Sequence, residues 1–349
     1  MLHWKPLRKL LRQWRTGCSL REAMNTRSFA PVVSVVIPTY QAAGDIGEAL
    51  DSVFSQTFSH FEVLLVNDGS PDTPDLEVAI ARYRSQIRYI VQSNRGAGAA
   101  RNTGLRAARG QYVAFLDADD LWSPDCLQRQ VSFLNTHADC AIVYADALIE
   151  GESPLAGRTF METAPSKGEA DLLALIQQRC NIPLSTVVAR RDVLAAAKFF
   201  DESLRRGQDF DLWLRVAAAG HRIGYQRAIV TTRRVRRSGL SGDAISELER
   251  AIHVLAYFDG NHDLPAVARA AIRARTRVLT NQLEIEHAKQ RLIEGNFAAA
   301  CHHMSVSQPR TLRGRAALLA LHIAPQLLRR VYLTLRKPLA AAPRQAALG

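Results

Sequence analysis

Between Val32 and Leu116 this 349-residue chain alternates between two periodicities. Short apolar runs, VVSVVI (32–37), FEVLLV (61–66), IRYIVQ (87–92) and YVAFL (112–116), are separated by segments of helical character. Runs this short and this continuous read as strands buried on both faces. Between them, IGEALDSVFSQ places Ile46, Ala49, Leu50 and Val53 on one helical face. The stretch from Leu76 to Tyr83 and the segment AGAARNTGLRAAR complete the pattern. Strand, helix, strand, helix demands crossover connections, so the expected fold is α/β with a mostly parallel sheet flanked by helices. Each run ends in a polar loop: PTYQAAGD, NDGSPD, SNRGAG and DADD. Ligands of open α/β sheets bind beyond the carboxyl ends of the strands, so these loops mark the expected site.

The fourth loop gathers Asp117, Asp119 and Asp120 within four positions, and like charges this close raise each other's pKa. One of them could cap a helix starting near Pro124. Three together suit a hard divalent cation, which takes carboxylate and phosphate oxygens and offsets the repulsion. The third loop, NRGAGAAR (94–101), opens a helix with Gly96 and Gly98. A dinucleotide fingerprint would need Gly or Ala where Arg101 stands and would follow the first strand, so hydride transfer is a poor fit. A glycine-opened helix start beside Arg95 and Arg101 still suits a diphosphate. The two loops together imply a metal–diphosphate site.

Beyond Asp146 the pattern is less regular. PLSTVVAR (183–190) and RIGYQRAIVTTR are expected strands, DFDLWLRVAAAG (209–220) a helix with a Gly stop, and the chain from about Ser246 onward helical. Within that last part, LIEGNFAAACHHM has the small-residue look of one tetratricopeptide hairpin, and repeat folds need several such units. The net charge of +12 sits at the two ends. Residues 1–30 carry seven Lys/Arg against one Glu, and residues 301–349 carry eight against none. The middle is near neutral, which argues against a nucleic-acid partner. In WKPLRKLLRQW, Trp4, Leu7, Leu11 and Trp14 form a stripe flanked by cations, a pattern suited to an anionic membrane surface or to docking on the protein's own body. The acid-free segment LLALHIAPQLLRRVYLTLRK is a second surface-binding candidate. Five cysteines without a C-x-x-C pair suggest neither a zinc site nor a disulfide framework. With no apolar run near ~20 residues and no signal-peptide core, the expected location is cytoplasmic, peripheral on the inner face of the plasma membrane.

Five blocks carry a resemblance: VSVVIPTYQAAGDIGEALDSVFSQTF, VNDGSPD, NRGAGAARNTGL, GQYVAFLDADDLW and FDESLRRGQDFDLWLR. In this order they resemble the blocks of family 2 inverting glycosyltransferases with the GT-A fold, over roughly residues 32–240. The resemblance implies a Rossmann-like GT-A domain over 31–245, after a basic amphipathic segment (1–30) and before a helical C-terminal region (246–349) with a basic tail. It implies transfer of a sugar from a nucleotide-diphosphate donor, a UDP-sugar, to a hydroxyl of a glycan or lipid-linked acceptor, with Mg²⁺ or Mn²⁺. Carried over by position, Pro38, Thr39 and Tyr40 would line the base pocket and Asp68 would hydrogen-bond the base. Asn94 and Arg101 would lie along the nucleotide, Asp117 near the ribose and donor sugar, and Asp119 on the metal. The family's Glu-Asp pair reads Gln208-Asp209 here, which leaves Asp209 as the expected base and Asp211 in reserve. Arg236 stands where relatives often have His. Of Arg233, Arg234, Arg236 and Arg237, most read as a solvated basic loop, with Arg234 the expected diphosphate contact. The two departures motivate a competing reading, a non-catalytic nucleotide-sugar-binding assembly or sensor subunit.

Overall fold

A computed structural model describes residues 30–164, 166, 168–235, 244–309 and 311–336. The N-terminal stripe, Arg236, Arg237 and the basic tail from Lys337 lie outside the described residues. The chain opens with β1 (Val33–Thr39), α1 (Ile46–Phe54), β2 (Phe61–Asp68), α2 (Thr73–Ile80), β3 (Ile87–Gln92), α3 (Ala97–Ala107) and β4 (Tyr112–Phe115). All four apolar runs are strands, and all pairings among them are parallel. Next come β5 (Leu121–Trp122), α4 (Cys126–Thr136), β6 (Cys140–Gly151), α5 (Phe160–Thr163) and α6 (Leu172–Ile176). They are followed by β7 (Val188–Arg190), α7 (Arg191–Ala196), α8 (Gln208–Ala218) and β8 (Arg222–Val235). Five helices follow, α9 (Ala244–Asn261), α10 (Ala266–Glu294), α11 (Phe297–Val306), α12 (Leu312–Ile323) and α13 (Pro325–Arg336).

The eight strands form one sheet in the order β3-β2-β1-β4-β7-β6-β8-β5. The second half departs from the parallel expectation, because β7 runs antiparallel to β4 and β6, and β5 antiparallel to β8. The expected strand PLSTVVAR is shorter than its pattern. It begins as a tight 3₁₀ turn over Leu184–Thr186 after Pro183, and only Val188–Arg190 enters the sheet. β6, which no sequence pattern marks, is a twelve-residue strand with every position from Cys140 to Ala147 buried.

Strand pleating sorts the core into two layers, since alternate residues face opposite ways. Val35 and Ile37 of β1, Val63 and Leu65 of β2, and Ala114 of β4 meet α1, α2 and α4. Val36, Leu64, Val113 and Phe115 meet α3, α6 and α8 on the other side. In α1 the buried residues are Ile46, Ala49, Leu50 and Val53, and the three larger ones contribute roughly 1.5–3 kcal/mol each. The second layer continues past residue 245: Val254, Leu255 and Phe258 of α9 and Ile272 and Leu279 of α10 share it with Leu212 and Trp213 of α8. The 292–304 stretch is a helix hairpin, with left-handed Gly295 capping the end of α10 and Asn296 capping the start of α11.

Two glycines bring helices close to their neighbours. A Cβ on Gly104 of α3 would lie 2.5 Å from Val36 Cγ1 of β1, so glycine sets the α3–sheet spacing. Gly207, at φ +77°, starts α8, and a Cβ there would lie 2.7 Å from Val254 Cγ2 of α9.

Candidate active site

The parallel register sets Thr39 beside Asn67 and Asp68 beside Gln92, so the first three strand ends form one edge. Thr39 is buried and donates from Oγ1 to the Val66 carbonyl (3.1 Å). Pro38 is half-buried and Tyr40 is exposed beyond it. Asp68 is buried and organises the third loop. Its Oδ1 accepts from Gln92 Nε2 (2.7 Å) and the Arg95 N–H (3.0 Å), and its Oδ2 from the Gly96 N–H (2.7 Å). Three donors hold this carboxylate in a fixed orientation. Asn94, exposed in the same loop, accepts from the Gly96 N–H at 3.2 Å. The loop leads into α3, whose first N–H groups have no helical partners.

The acidic cluster divides by role. Asp117 Oδ1 accepts from Arg101 Nη2 at 2.6 Å, and the Asp117 N–H donates to Ser185 Oγ at 3.2 Å. Arg101 is buried, and its guanidinium carbon lies 5.7 Å from the Phe200 ring centroid. Asp119 is half-buried. Asp120 is buried; Ser185 Oγ donates to its Oδ2 (2.5 Å) and the Arg234 N–H to its Oδ1 (3.1 Å). Burial, then the charge of Asp117, with Asp119 adding, pushes its carboxyl up to about 7. The strain of three neighbouring acids therefore concentrates on Asp120, which ties β4 to β8. The capping alternative does not hold: α4 starts at Cys126 with Asp125 at its N-cap.

A cavity of about 990 Å³ opens beside this cluster. Arg101, Asp117, Asp120 and Ser185 form one part of its wall, and Gln208 and Asp209 at the start of α8 form another. Leu248, Arg250 and Ala251 of α9 and Leu279 of α10 contribute a third part, so the C-terminal helices help shape the site. Asp209 is half-buried. Gln208 is buried, donates from Nε2 to the Leu204 carbonyl (2.6 Å), and packs on Gly98.

Two expected site residues face elsewhere. Asp211 is 0% exposed, accepts from Arg215 Nε at 2.8 Å, and is absent from the cavity wall. Burial raises its pKa, and it belongs to the packing between α8 and the core. Two helical residues are turned by about 200°, so Asp209 and Asp211 cannot share a face. The Arg234 guanidinium pairs with Glu48 of α1, while Thr231, Arg233 and Val235 line the cavity. Strand alternation thus makes Arg233 the cation on the cavity face. Its guanidinium carbon lies 5.6 Å from the Phe160 ring centroid.

The structure also adds residues that the sequence reading left out. Ser185 joins Asp117 to Asp120, and its carbonyl accepts from Trp122 Nε1 (2.7 Å) and Thr231 Oγ1 (3.0 Å). Buried Asn102 of α3 donates from Nδ2 to the Phe200 carbonyl (2.8 Å) and Glu202 Oε1 (2.9 Å), and accepts from the Phe200 N–H (2.9 Å). Arg106 and Arg95 also reach Glu202, at 2.9 and 3.5 Å. Through Asn102 and Glu202, α3 anchors the segment that leads to Asp209. Neither residue has a local signal beyond lying inside a resembling block.

No three His, Cys, Asp or Glu side chains among the described residues gather into a metal cluster. A magnesium-type cation keeps water and substrate phosphates among its ligands and needs only one or two carboxylates. Asp119 with Asp117, on a half-exposed loop at a strand end, fits that requirement.

A mixed sheet whose strand ends carry an acidic loop, beside a cavity that receives a further carboxylate from a later helix, is the architecture of a GT-A glycosyltransferase. Residues 34–193 match the family described as Glycosyl transferase family 2. It is 28% identical over 233 residues, 65% of this chain and 71% of the relative, to an uncharacterized glycosyltransferase of Rickettsia typhi. It is 28% identical over 232 residues, 66% of this chain and 87% of the relative, to the Escherichia coli UDP-Glc:alpha-D-GlcNAc-diphosphoundecaprenol beta-1,3-glucosyltransferase WfgD. Among solved structures, the mannosyltransferase PcManGT of Pyrobaculum calidifontis, in complex with GDP-Man and Mn²⁺, aligns at TM-score 0.58. That alignment has 20% identity and covers 93% of this chain and 92% of the other. TarS 1–349 of S. aureus with UDP-GlcNAc aligns at TM-score 0.53 and 20% identity, covering 87% and 91%.

Proposed function

We propose that this glycosyltransferase moves a sugar, with inversion, from a nucleotide-diphosphate donor of the UDP-sugar class to a hydroxyl of a lipid-linked or surface-glycan acceptor. The observation that carries the reading is the cavity shared by Arg101–Asp117 and Asp209. It supplies an anion-binding side and a carboxylate for the acceptor in one space. In this reading Pro38, Thr39 and Tyr40 flank the base, with the exposed Tyr40 ring as a stacking surface. Asp68 acts through the loop it holds, since three donors already engage its oxygens, and Asn94 lies along the nucleotide. Arg101 is fixed by Asp117 toward the diphosphate, and Arg233 takes the role first expected of Arg234.

Asp209 removes the acceptor proton as the hydroxyl attacks the anomeric carbon from the face opposite the leaving group. A single displacement of this kind inverts the centre and needs no covalent intermediate. Mg²⁺ or Mn²⁺ on Asp119, with Asp117, would supply Lewis-acid neutralisation of the departing diphosphate. The PcManGT complex with GDP-Man and Mn²⁺ supports a divalent metal, and the name of WfgD supports a diphosphate-lipid acceptor. The enzyme would then work at the cytoplasmic face of a membrane.

The test is Asp209→Asn, assayed for sugar transfer and, by calorimetry, for donor binding with Mn²⁺. Transfer falls by about 10²- to 10⁴-fold while donor affinity holds. Wild-type turnover would refute the base assignment. Absence of transfer and of donor hydrolysis by the wild-type protein, across UDP- and GDP-sugars, would favour the non-catalytic binding reading that Gln208 motivates.

A further inference from the structure

The last two described helices carry apolar side chains on both faces, and among the described residues only one face is packed. On the inner side, Leu321 of α12 and Leu328 and Tyr332 of α13 pack with Leu292, Ala300, Phe297 and Met304. Arg329 Nε donates to the Ile293 carbonyl at 3.0 Å, which fixes α13 against the end of α10. On the outer side, Leu312, Leu319 and Ile323 of α12 and Leu327, Val331 and Leu335 of α13 stand in solvent. The α13 residues recur every fourth position, and those of α12 are spaced by seven and four, so each helix presents one apolar stripe. Leu312 is 85% exposed, Ile323 74% and Leu335 79%. Scattered exposed leucines need no explanation, but an aligned set of six on consecutive helices marks an interaction surface.

The charge around the stripe selects the partner. From Gly295 to Arg336 the sequence has six Arg (310, 313, 315, 329, 330 and 336) and no Asp or Glu. Arg313, Arg315 and Arg330 are exposed on the helices that carry the stripe. We propose that α12 and α13 dock on an anionic lipid bilayer, the leucines entering the interface and the arginines meeting the headgroups. A second copy of this chain would bring arginine against arginine, and an apolar protein groove would leave the cations unpaired. Apolar burial and attraction to anionic lipid act together in this kind of binding. Each helix has twelve residues, about 18 Å, too short to cross ~30 Å of hydrocarbon, and no helix among the described residues is long and apolar enough to span a membrane. The helices would therefore lie in the plane of the surface.

The inference deepens the proposed function, because it places the transferase where a lipid-linked acceptor resides. Its test is separable from that reading. Full-length protein without donor is floated with vesicles of phosphatidylcholine, alone or with about 30% phosphatidylglycerol. The wild-type chain binds the anionic vesicles at least about tenfold more tightly than the neutral ones. The Leu319→Ser/Ile323→Ser/Leu327→Ser variant loses at least about tenfold of that affinity, and Arg330→Glu a smaller share. All three positions are exposed, so the thermal transition stays in place and separates lost docking from lost fold. Unchanged vesicle binding by the triple variant would overturn the proposal, as would equal binding to both vesicle types. So would self-association in sedimentation velocity that the same substitutions abolish, since the stripe would then be a protein interface. A chain that docks as stated but transfers no sugar refutes the enzymatic reading alone.

Discussion

Replacing Asn102 with alanine tests whether α3 holds the segment leading to Asp209 in place. Asn102 is 2% exposed and makes three hydrogen bonds, two to Phe200 and one to Glu202. The truncation strands the Phe200 N–H and carbonyl, and each buried group left unpaired costs about 1–3 kcal/mol. A total of about 3–4 kcal/mol is expected. Unfolding entropy of ~2.1 cal/mol/K per residue makes that a fall of about 5 °C in Tm. The kinetic effect follows from what Phe200 touches. Its ring lies against Arg101 (5.7 Å) and Phe115 (5.4 Å), and the chain beyond it carries Asp209. A displacement of ~1 Å in a reacting group can cost about 10²-fold, so kcat drops by one to two orders of magnitude, and donor KM rises as well because Arg101 rests on the Phe200 ring. Glu202→Gln is the control. It keeps the acceptor for Asn102 and removes only the partly exposed ion pairs to Arg106 and Arg95, worth less than about 1 kcal/mol. Thermal unfolding by circular dichroism and coupled release of nucleoside diphosphate measure both. Wild-type Tm and kcat in Asn102→Ala would show that α3 does not hold this segment, and so would a Glu202→Gln variant as damaged as Asn102→Ala.

Arg233→Ala should weaken substrate binding by about tenfold or more with little change in stability, whereas Arg234→Ala should lower stability by less than about 1 kcal/mol and leave binding intact; titration calorimetry of both variants decides, and the reverse result would show the strand parity to be misread. Gly104→Ala should destabilise by about 1–3 kcal/mol through overpacking against Val36, and adding Val36→Ala should recover part of that loss in denaturant unfolding; a neutral Gly104→Ala would contradict the close α3–β1 contact. Chelation with EDTA should abolish transfer and Mn²⁺ should restore it, with the Tm of the donor-free protein unmoved; full turnover in EDTA would remove the metal from the reading.

Local periodicity alone determined much of this protein. The four apolar runs are strands because continuous β-prone segments must be covered on both faces, and the i, i+3, i+4 spacing of Ile46, Ala49, Leu50 and Val53 placed α1 against them. Since parallel strands deliver their loops to one edge, the place of the candidate site was legible as well, and Asp117 and Asp209 line the same cavity. What remained hidden depends on contacts between residues distant in the chain. β6 carries Asp146 inside an apolar run, and only its pairing with β7 and β8 defines it as a strand. Arg233 and Arg234 are adjacent arginines, and the choice between cavity and Glu48 follows from how the pleat of β8 meets β6. Asp209 and Asp211 are both acids at a helix start, and the packing of α8 on the core decides which one is sealed against Arg215 and which one reaches the cavity. A sequence states which residues alternate or recur; only tertiary packing sets the phase of that pattern, and the phase decides which side chain reaches the cavity.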